Sequence, residues 1–320
     1  MLITHHFLFI AEVLTPLELD HHSGAALRGS LFNGVWYRFC NNKAATTCAT
    51  CPLHNLCPVS ALVAPLREEN ERGRDIPRPY IILPPLDARY YAPGERLVFG
   101  ITLFGNIVKL FPYLIMALQS IEANGLGKKL EANKGKRGTF KILSIESYNP
   151  VITQRQVIYQ TGKPVIDAPA LTVTHNDILT RASSLSSRRL TLHFLTPTRL
   201  LHQEKLVHQP TFFPLIARLL ERLTALEKAY SDEAAPTFTQ QWQHLPELAA
   251  SIQCIENATT WEDVQSYSHR TKRSTPIGGL QGKATYKGNL EPFREILAWG
   301  ELIHVGKNTV KGNGWYRIED

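Results

Sequence analysis

Segments with the apolar spacing of a β-strand alternate along this chain with segments that have the apolar spacing of an α-helix. Strand spacing covers residues 2–14 and 96–104, whereas helix spacing covers residues 23–39 and 210–230. A strand turns every second side chain to one face, and a helix places side chains on one face at intervals of three or four residues. This alternation indicates an α+β or α/β fold.

The same patterns predict the remaining elements. Further strands are predicted for residues 139–148, 156–160, 190–195, 264–267 and 282–286. Further helices are predicted for residues 106–123, 238–256 and 291–300. We interpret the polar residues 173–189 as a connector. Strands and helices mix in the same way on both sides of it, although no residue-level repeat relates the two halves.

Length and charge limit the classes of protein to which this chain can belong. Its 320 residues can form one large or two medium domains. A net charge of +7 and an isoelectric point near 9.1 favour a polyanionic partner. The sequence has no apolar run of about 18 residues, and its N-terminus lacks the basic segment and cleavage site of a secretory signal. We therefore expect a cytoplasmic protein with no membrane partner.

Four of the five cysteines crowd into one short segment. They are Cys40, Cys48, Cys51 and Cys57. In a cytoplasmic protein this spacing indicates a metal site rather than a disulfide framework. Zinc is the default metal for four thiolates, the spacing is also similar to that of iron–sulfur loops, and His54 could replace one cysteine. We expect a structural role, in which the metal pins a loop of residues 40–58 after the first helix.

The fifth cysteine, Cys254, stands alone in the sequence. An isolated cysteine of this kind usually behaves as a small hydrophobic residue, and we predict that it is buried.

The C-terminal segment is rich in glycine and lysine. Gly306, Gly312 and Gly314 allow the backbone to approach a ligand closely, and Lys307 and Lys311 add positive charge beside the backbone amides. This combination suits an RNA phosphodiester backbone. A glycine hairpin with solvated lysines is the alternative interpretation. The spacing is not that of a P-loop.

Four stretches of the sequence carry a family resemblance. They are LRGSL at residues 27–31, LHFLTPTRL at residues 192–200, YSHRTKRSTPIGGLQGKATYKG at residues 267–288 and GELIHVGKNTVKGNGWY at residues 300–316. Together they resemble the CRISPR-associated endoribonucleases of the RAMP superfamily that process precursor crRNA. The resemblance implies an α+β fold of two tandem ferredoxin-like (RRM-like) domains. We expect these at residues 1–185, with the cysteine-rich loop as an insert, and at residues 186–320, with the glycine-rich loop.

The resemblance also implies a reaction. Members of this family cleave RNA without a metal cofactor: the 2′-hydroxyl attacks the adjacent phosphate and leaves a 2′,3′-cyclic phosphate. This reaction needs a base, an acid and positive charge on the phosphate. Because a histidine near the first helix is the usual base, His21 and His22 are the first candidates, and an exposed turn is the alternative interpretation of both. His269 is the second candidate, and Tyr37 is a possible acid or orienting group.

Basic residues on glycine-rich loops are candidates for contacts with the RNA backbone. The predicted RNA-binding residues are Lys128, Lys134, Lys136, Arg137, Arg270, Lys272, Arg273, Lys283, Gly306, Lys307 and Lys311. Solvated loops are the alternative interpretation of the stretches at residues 125–141 and 269–273. The expected partners are CRISPR repeat RNA or crRNA and other CRISPR effector subunits. Two other functions stay open: a non-catalytic RAMP subunit that binds crRNA, and a metal-stabilised nucleic-acid-binding module unrelated to CRISPR.

Overall fold

The chain divides into two compact units. The computed structural model describes residues 1–65, 76–163, 168–231, 242–268 and 272–319. The N-terminal unit comprises Ile3–Thr172 with Ala229–Asp232, and the C-terminal unit comprises Val173–Lys228 and Glu233–Asp320 with Met1–Leu2. The boundary that we predict between residues 185 and 186 lies later in the chain than Val173, where the C-terminal unit begins.

The N-terminal unit contains nine strands and three helices among the residues described. The strands are β1 (Thr4–Val13), β2 (Leu17–Leu19), β3 (Tyr80–Leu83), β4 (Arg89–Tyr91), β5 (Arg96–Phe104), β6 (Leu126–Leu130), β7 (Lys136–Gly138), β8 (Phe140–Asn149) and β9 (Gln154–Gln160). The helices are α1 (Gly24–Phe39), α2 (Pro58–Val63) and α3 (Phe111–Asn124).

Five of these strands form one antiparallel sheet in the order β3-β5-β1-β8-β9. Without β9, the succession β1-α1-β3-β5-α3-β8 and the sheet order β3-β5-β1-β8 are those of a ferredoxin-like fold. The central strand β1 carries Phe7 and Phe9, both fully buried, and the Phe7 ring stacks on Phe111 of α3 with centroids 4.4 Å apart. The helices therefore cover a face of the sheet that β1 makes apolar.

The C-terminal unit contains eight strands and four helices among the residues described. The strands are β10 (Arg189–Thr198), β11 (Leu201–His202), β12 (Lys205–Leu206), β13 (Gln253–Glu262), β14 (Gln265–Ser268), β15 (Arg273–Pro276), β16 (Gly279–Lys287) and β17 (Tyr316–Glu319). The helices are α4 (His175–Ser183), α5 (Phe212–Tyr230), α6 (Leu245–Ala249) and α7 (Arg294–Ile303).

The second sheet has the same topology as the first. Its antiparallel order is β13-β16-β10-β17, and the elements follow one another as β10-α5-β13-β16-α7-β17. In β10 the buried Leu190, Leu192 and Phe194 alternate with Thr191 and His193 on the open face. The α+β prediction is confirmed, and each unit has the strand order of a ferredoxin-like fold.

Two predicted secondary-structure assignments are wrong. The connector predicted for residues 173–189 contains α4, whose first turn is closed when the Asp177 carboxylate accepts a hydrogen bond from the Thr174 N–H at 2.7 Å. This Thr-x-x-Asp pattern is a helix-start signal that outweighs the polar composition, because Ile178 and Ala182 bury the inner face. The helix predicted for residues 238–256 is too long at its C-terminal end, since β13 begins at Gln253.

The prediction that Cys254 is buried is also wrong. Cys254 is exposed, because β13 is an edge strand with a register shift between Cys254 and Glu256. Partial burial and the loss of hydration raise the pKa of its thiol. In the part of the chain that the structure describes, no helix is both long and apolar enough to cross a lipid bilayer.

Candidate nucleic-acid interface

The glycine-rich loop, residues 305–314, connects α7 to β17 and is held by backbone contacts that exclude side chains. Gly306, Gly312 and Gly314 all have positive φ, at 83°, 85° and 72°. A Cβ on Gly314 would lie 1.8 Å from the Val305 carbonyl oxygen, and one on Gly306 would lie 2.4 Å from that of Arg199. Glycine at these two positions is therefore a packing requirement as well as a conformational one.

Hydrogen bonds fix the loop from both ends. The Val305 N–H donates to the Gly314 carbonyl at 3.0 Å, and the Gly314 N–H donates to the Pro197 carbonyl at 3.1 Å. The Lys307 N–H donates to the Arg199 carbonyl at 2.9 Å, while the Lys307 side chain is exposed. The loop is thus a rigid platform that presents a cation to solvent, as binding of a phosphate would require.

His304 lies beneath this platform and does not reach its surface. The side chain is 0% exposed, its Nδ1 lies 3.2 Å from the Asn313 carbonyl oxygen, and its ring stacks on Trp315 with an interplanar angle of 6°. Its backbone, at φ 59° and ψ 172°, lies in a region that is almost reserved for glycine. His304 therefore fixes the two ends of the loop by packing.

A basic hairpin lies beside the glycine-rich loop. The hairpin is formed by β14 and β15, and it carries Lys272 and Arg273 as exposed side chains. Lys311 Nζ donates to Ser266 Oγ at 3.2 Å and so ties the loop to the first strand of the hairpin. The structure thus brings together five predicted RNA-binding residues from two separate sequence segments. They are Lys272, Arg273, Gly306, Lys307 and Lys311. Arg270 and His269 lie outside the described residues.

Arg199 belongs to the same surface, and the sequence analysis did not select it. Its carbonyl oxygen holds Lys307, and its guanidinium donates to the Gly278 carbonyl at 3.2 Å. The available signal was its place in the stretch LHFLTPTRL, directly after a strand. A single arginine at this place in the sequence does not reveal that residues 278 and 307 contact it in the fold.

Lys283 lies in a different environment from the other predicted residues. It is on the open face of the C-terminal sheet, where Nζ lies 2.6 Å from Glu319 Oε2 and His193 Nδ1 lies 3.0 Å from Glu319 Oε1. The hydrogen bond from Lys283 is the main cause that holds the pKa of Glu319 below its usual value. Glu319 therefore compensates much of the charge of Lys283.

The basic residues of the N-terminal unit that are predicted to bind RNA lie on the β6–β7 hairpin. Lys134 and Lys136 are exposed, and Lys134 has a left-handed backbone with φ 55°. Lys128 lies 2.7 Å from Glu18 Oε1 and 2.9 Å from Asp20 Oδ1, and these partners raise its pKa above the usual lysine value. Lys134 and Lys136 are thus better placed than Lys128 to meet a phosphate.

Arg137 lines a cleft of about 340 Å³ in the N-terminal unit. The lining residues come from one face of α1, from the end of α3 and from β7. They are Ser30, Asn33, Tyr37, Ile121, Asn124, Gly125 and Arg137. The Tyr37 side chain is 64% exposed, and Lys43 Nζ lies 5.4 Å from the centre of its ring. The cleft thus combines a phenol with the guanidinium of Arg137, which is a suitable environment for a phosphate.

His21 and His22 lie in the turn that leads into α1, and His21 is exposed. His21 Nδ1 accepts a hydrogen bond from the Ala88 N–H at 3.3 Å, so the neutral ring keeps its proton on Nε2. An α-helix rises about 1.5 Å per residue, which separates His22 from Tyr37 by about 20 Å. The structure therefore does not bring the candidate base and the candidate acid of the sequence analysis together.

The four clustered cysteines lie between α1 and α2 as half-buried side chains that form no disulfide bond within the described part of the chain. The Cys51 N–H donates to the Cys48 carbonyl at 3.4 Å, and Cys40 and Cys57 cap the two helices. Across the described ranges of the chain, no three histidine, cysteine, aspartate or glutamate side chains are grouped closely enough to hold a metal ion. The loop as placed does not fit the zinc or iron–sulfur site, which stays a prediction.

Two family matches cover most of the chain. Residues 2–171 match a family of N-terminal domains named AF_1859_N. Residues 192–316 match the family described as CRISPR-associated endoribonuclease Cas6, and this match includes the glycine-rich loop and the hairpin. Residues 192–316 belong to the Cas6 endoribonuclease family. The resemblance noted in the sequence is thereby confirmed.

Solved Cas6 structures share the architecture over the full length of the chain. Thermus thermophilus Cas6 (TTHB231) has a TM-score of 0.55 at 14% identity, with 100% of this chain and 99% of that chain covered. A product complex of the same protein gives 0.56 at 15% identity, with 99% of each chain covered. A partial Cas6-RT-Cas1–Cas2 complex gives 0.58 at 14% identity, where this chain covers 46% of the other. At these identities the likeness establishes the fold alone. No curated protein matches the sequence.

Proposed function

We propose that this chain is the endoribonuclease that binds the repeats of a CRISPR precursor transcript and cuts each repeat once. The observation that carries the proposal is the endoribonuclease family match over residues 192–316, which contains a rigid glycine-rich loop with an exposed lysine. The loop and the adjacent hairpin supply backbone amides and cations, the groups that recognise an RNA backbone without reading its bases.

The proposed reaction uses the 2′-hydroxyl of the RNA as nucleophile. A base removes the 2′-hydroxyl proton while the oxygen attacks the adjacent phosphorus, and an acid protonates the departing 5′-oxygen. The products are a 2′,3′-cyclic phosphate and a 5′-hydroxyl, and no metal takes part. One of the two histidines His21 and His22 is the proposed base. His21 can accept a proton only by giving up the hydrogen bond from Ala88, a small cost for a long bond at an exposed site.

The cleft of Tyr37 and Arg137 offers a second location for the reaction. There the phenol can serve as the acid and the guanidinium can hold the phosphate. Because His22 and Tyr37 are about 20 Å apart along α1, only one of the two groups can act at the scissile phosphate.

The test is single-turnover cleavage of a labelled repeat RNA in EDTA by the wild type and by three variants, His21→Ala, His22→Ala and Tyr37→Phe. Loss of an acid or base lowers the rate by roughly 100-fold to 10,000-fold. A lower cleavage rate in the histidine variants alone supports the turn before α1 as the location of the reaction. A lower cleavage rate in Tyr37→Phe alone supports the cleft. Tyr90→Phe is the control, since Tyr90 is also an exposed tyrosine of the N-terminal unit. Full activity in all three variants would refute both locations.

A non-catalytic crRNA-binding subunit is the second candidate function. It is favoured by one observation: His22 and Tyr37, the candidate base and the candidate acid, are about 20 Å apart along α1. Such a subunit would bind repeat RNA with the same loop and hairpin but would give no product after long incubation with saturating protein.

We further propose crRNA and other CRISPR proteins as partners, and a cytoplasmic location. Support comes from two similar chains, one solved as a product complex and one within a Cas6-RT-Cas1–Cas2 complex. Retention of the cut RNA on the protein after gel filtration would be the expected sign of a stable crRNA complex.

A further inference from the structure

A cluster of aromatic and cationic side chains lies at the end of β13, beside the glycine-rich loop. We call Arg199, His208 and Trp261 the Trp261 cluster. The His208 ring lies 4.2 Å from the Trp261 ring, measured between centroids, with a tilt of 44°. The guanidinium carbon of Arg199 lies 5.7 Å from the centre of the Trp261 ring. His208 is exposed, and Trp261 and Arg199 are half-buried.

Two members of the cluster, Trp261 and Arg199, are held in place by hydrogen bonds. Trp261 Nε1–H donates to Asp263 Oδ1 at 3.0 Å, which fixes the plane of the indole. Arg199 donates to the Gly278 carbonyl, and the backbone of Arg199 accepts the hydrogen bond from Lys307 of the glycine-rich loop. The cluster is therefore preorganised, and it is connected directly to the surface proposed to bind the RNA backbone.

The charge around the cluster complements a polyanion. Lys307, Lys272 and Arg273 are exposed cations on the loop and the hairpin, and Tyr267 of β14 is 57% exposed. Asp263 lies beside the indole, and its hydrogen bond to Trp261 occupies one of its oxygens. Aromatic rings interleaved with cations are the arrangement by which proteins hold single-stranded nucleic acid.

We propose that the Trp261 cluster binds an unpaired nucleobase of the RNA, next to the phosphates that contact the glycine-rich loop. The base packs on the exposed surface of the His208 and Trp261 rings, and the Arg199 guanidinium adds a cation–π contribution. The proposal rests on the proposed function, because it assumes that RNA is the ligand. Stacking tolerates any base, so the site adds affinity without a strict sequence requirement.

The first test measures dissociation constants for repeat RNA and for an unstructured oligouridine, as a function of salt. Trp261→Ala should weaken binding of both RNAs by roughly 5-fold to 100-fold, the usual range for one lost base–aromatic stack. Trp261→Phe should restore most of this affinity, because it keeps an aromatic face. The slope of log Kd against log salt should stay unchanged, since no phosphate contact is lost, whereas Lys307→Ala should lower that slope by about one. Tyr90→Ala is the matched control for an exposed aromatic residue.

The second test identifies the nucleotide. A series of repeat RNAs, each with one abasic position, is bound to the wild type and to Trp261→Ala. At one position, removal of the base should weaken binding to the wild type. The same removal should not change binding to Trp261→Ala. If Trp261→Ala lowers the melting temperature, His208→Ala carries the same comparison, because His208 lies outside the edge strand β13.

The two proposals fail separately. If the wild type cuts repeat RNA but Trp261→Ala binds it as tightly and no abasic position couples to Trp261, the stacking site is wrong and the proposed function stands. If oligouridine binding depends on Trp261 while repeat RNA is neither preferred nor cut, the stacking site stands and the proposed function is wrong. If the binding of every RNA is independent of Trp261, the inference is overturned, and a protein partner becomes the alternative ligand of the cluster.

Discussion

His304 shows how a single residue can carry backbone strain while it holds the glycine-rich loop in shape. An L-residue at φ 59° and ψ 172° costs of order 1–3 kcal/mol, and it persists only where the surroundings fix it. Here the Asn313 carbonyl, the Trp315 ring and complete burial supply that constraint. The strain therefore marks the point from which the glycine-rich loop is held in shape.

The strain at position 304 predicts an inverted order of stability for two small substitutions. His304→Ala and His304→Gly remove the same packing and the same hydrogen bond, and only the glycine relieves the backbone. A protein with glycine at a given position normally has a lower free energy of unfolding than one with alanine there. At position 304 we expect the opposite, with the glycine variant more stable by about 1 kcal/mol. Urea denaturation of the two variants measures this difference. An alanine variant more stable than the glycine variant would show that the backbone at His304 is not strained.

His5 and His6 on β1 predict a dependence of stability on pH. Burial is the main cause that lowers the pKa of His6 to about 3 and that of His5 to about 4, and His6 lies between the hydroxyls of Thr4 and Thr102. Between about pH 4 and 6.5 the unfolded chain binds protons that the folded chain excludes. The free energy of unfolding should therefore fall as the pH drops through this window, by at most about 1.4 kcal/mol per pH unit for each histidine.

His6→Gln should make this dependence shallower by the contribution of one group. Denaturant titrations at a series of pH values give the slopes. Equal slopes for the wild type and His6→Gln would contradict the assignment of His6 as a buried neutral residue.

At the level of elements, helix α1 contains two interior glycines, Gly29 and Gly34, in different surroundings. A Cβ added at Gly29 meets no atom within 4 Å, whereas one at Gly34 lies 3.0 Å from the Ala117 carbonyl oxygen of α3. Gly34 therefore allows α1 and α3 to approach closely. Gly29 allows no such close approach, so a glycine at this position lowers helix stability without improving packing.

We expect Gly29→Ala to raise the free energy of unfolding by about 0.5–1 kcal/mol, the helix-propensity difference between the two residues. Gly34→Ala gains the same propensity but forces α1 away from α3, so it should be destabilising. Thermal denaturation of both variants tests the pair. A destabilising Gly29→Ala or a stabilising Gly34→Ala would contradict this packing.

The cysteine loop between α1 and α2 carries the metal prediction that the structure does not support. If the prediction is correct, purified protein contains about one zinc or one iron–sulfur cluster per chain, and Cys48→Ser with Cys51→Ser removes it. Elemental analysis measures the content, and visible absorption separates a cluster from zinc. Substoichiometric metal in the wild type would show that the four cysteines remain thiols.

The elements that the sequence predicts well are those with a long, regular apolar pattern, such as β1, α1 and α5. The helix α4 was missed because nine mostly polar residues bury only Ile178 and Ala182, so composition concealed a capping signal. The strand β13 was mistaken for helix because an edge strand that is exposed on both faces has no alternating pattern.

The candidate site was only partly predictable for a different reason. Lys307, Lys311, Lys272 and Arg273 could be selected because each lies in a local motif of glycine and positive charge. Arg199 and Trp261 could not, because they join the site only through contacts between segments that are distant in the sequence.

On the scale of the whole molecule, one chain uses the same strand order twice. Each unit has the succession β-α-β-β-α-β, yet the two units carry different features. The C-terminal unit holds the glycine-rich loop and the hairpin, and the N-terminal unit holds the basic β6–β7 hairpin, the cleft and the turn with His21 and His22. The sequence could indicate the mixed fold, but the shared topology follows only from the pairing of the strands.

The measurement that tests the central claim most directly is the mass of the 5′ product after wild-type protein is incubated with repeat RNA in EDTA. The proposed function predicts one discrete cut in each repeat and a product mass that corresponds to a 2′,3′-cyclic phosphate. RNA that is bound but stays intact, or a product that forms only with added divalent metal and ends in a 3′-hydroxyl, would contradict it.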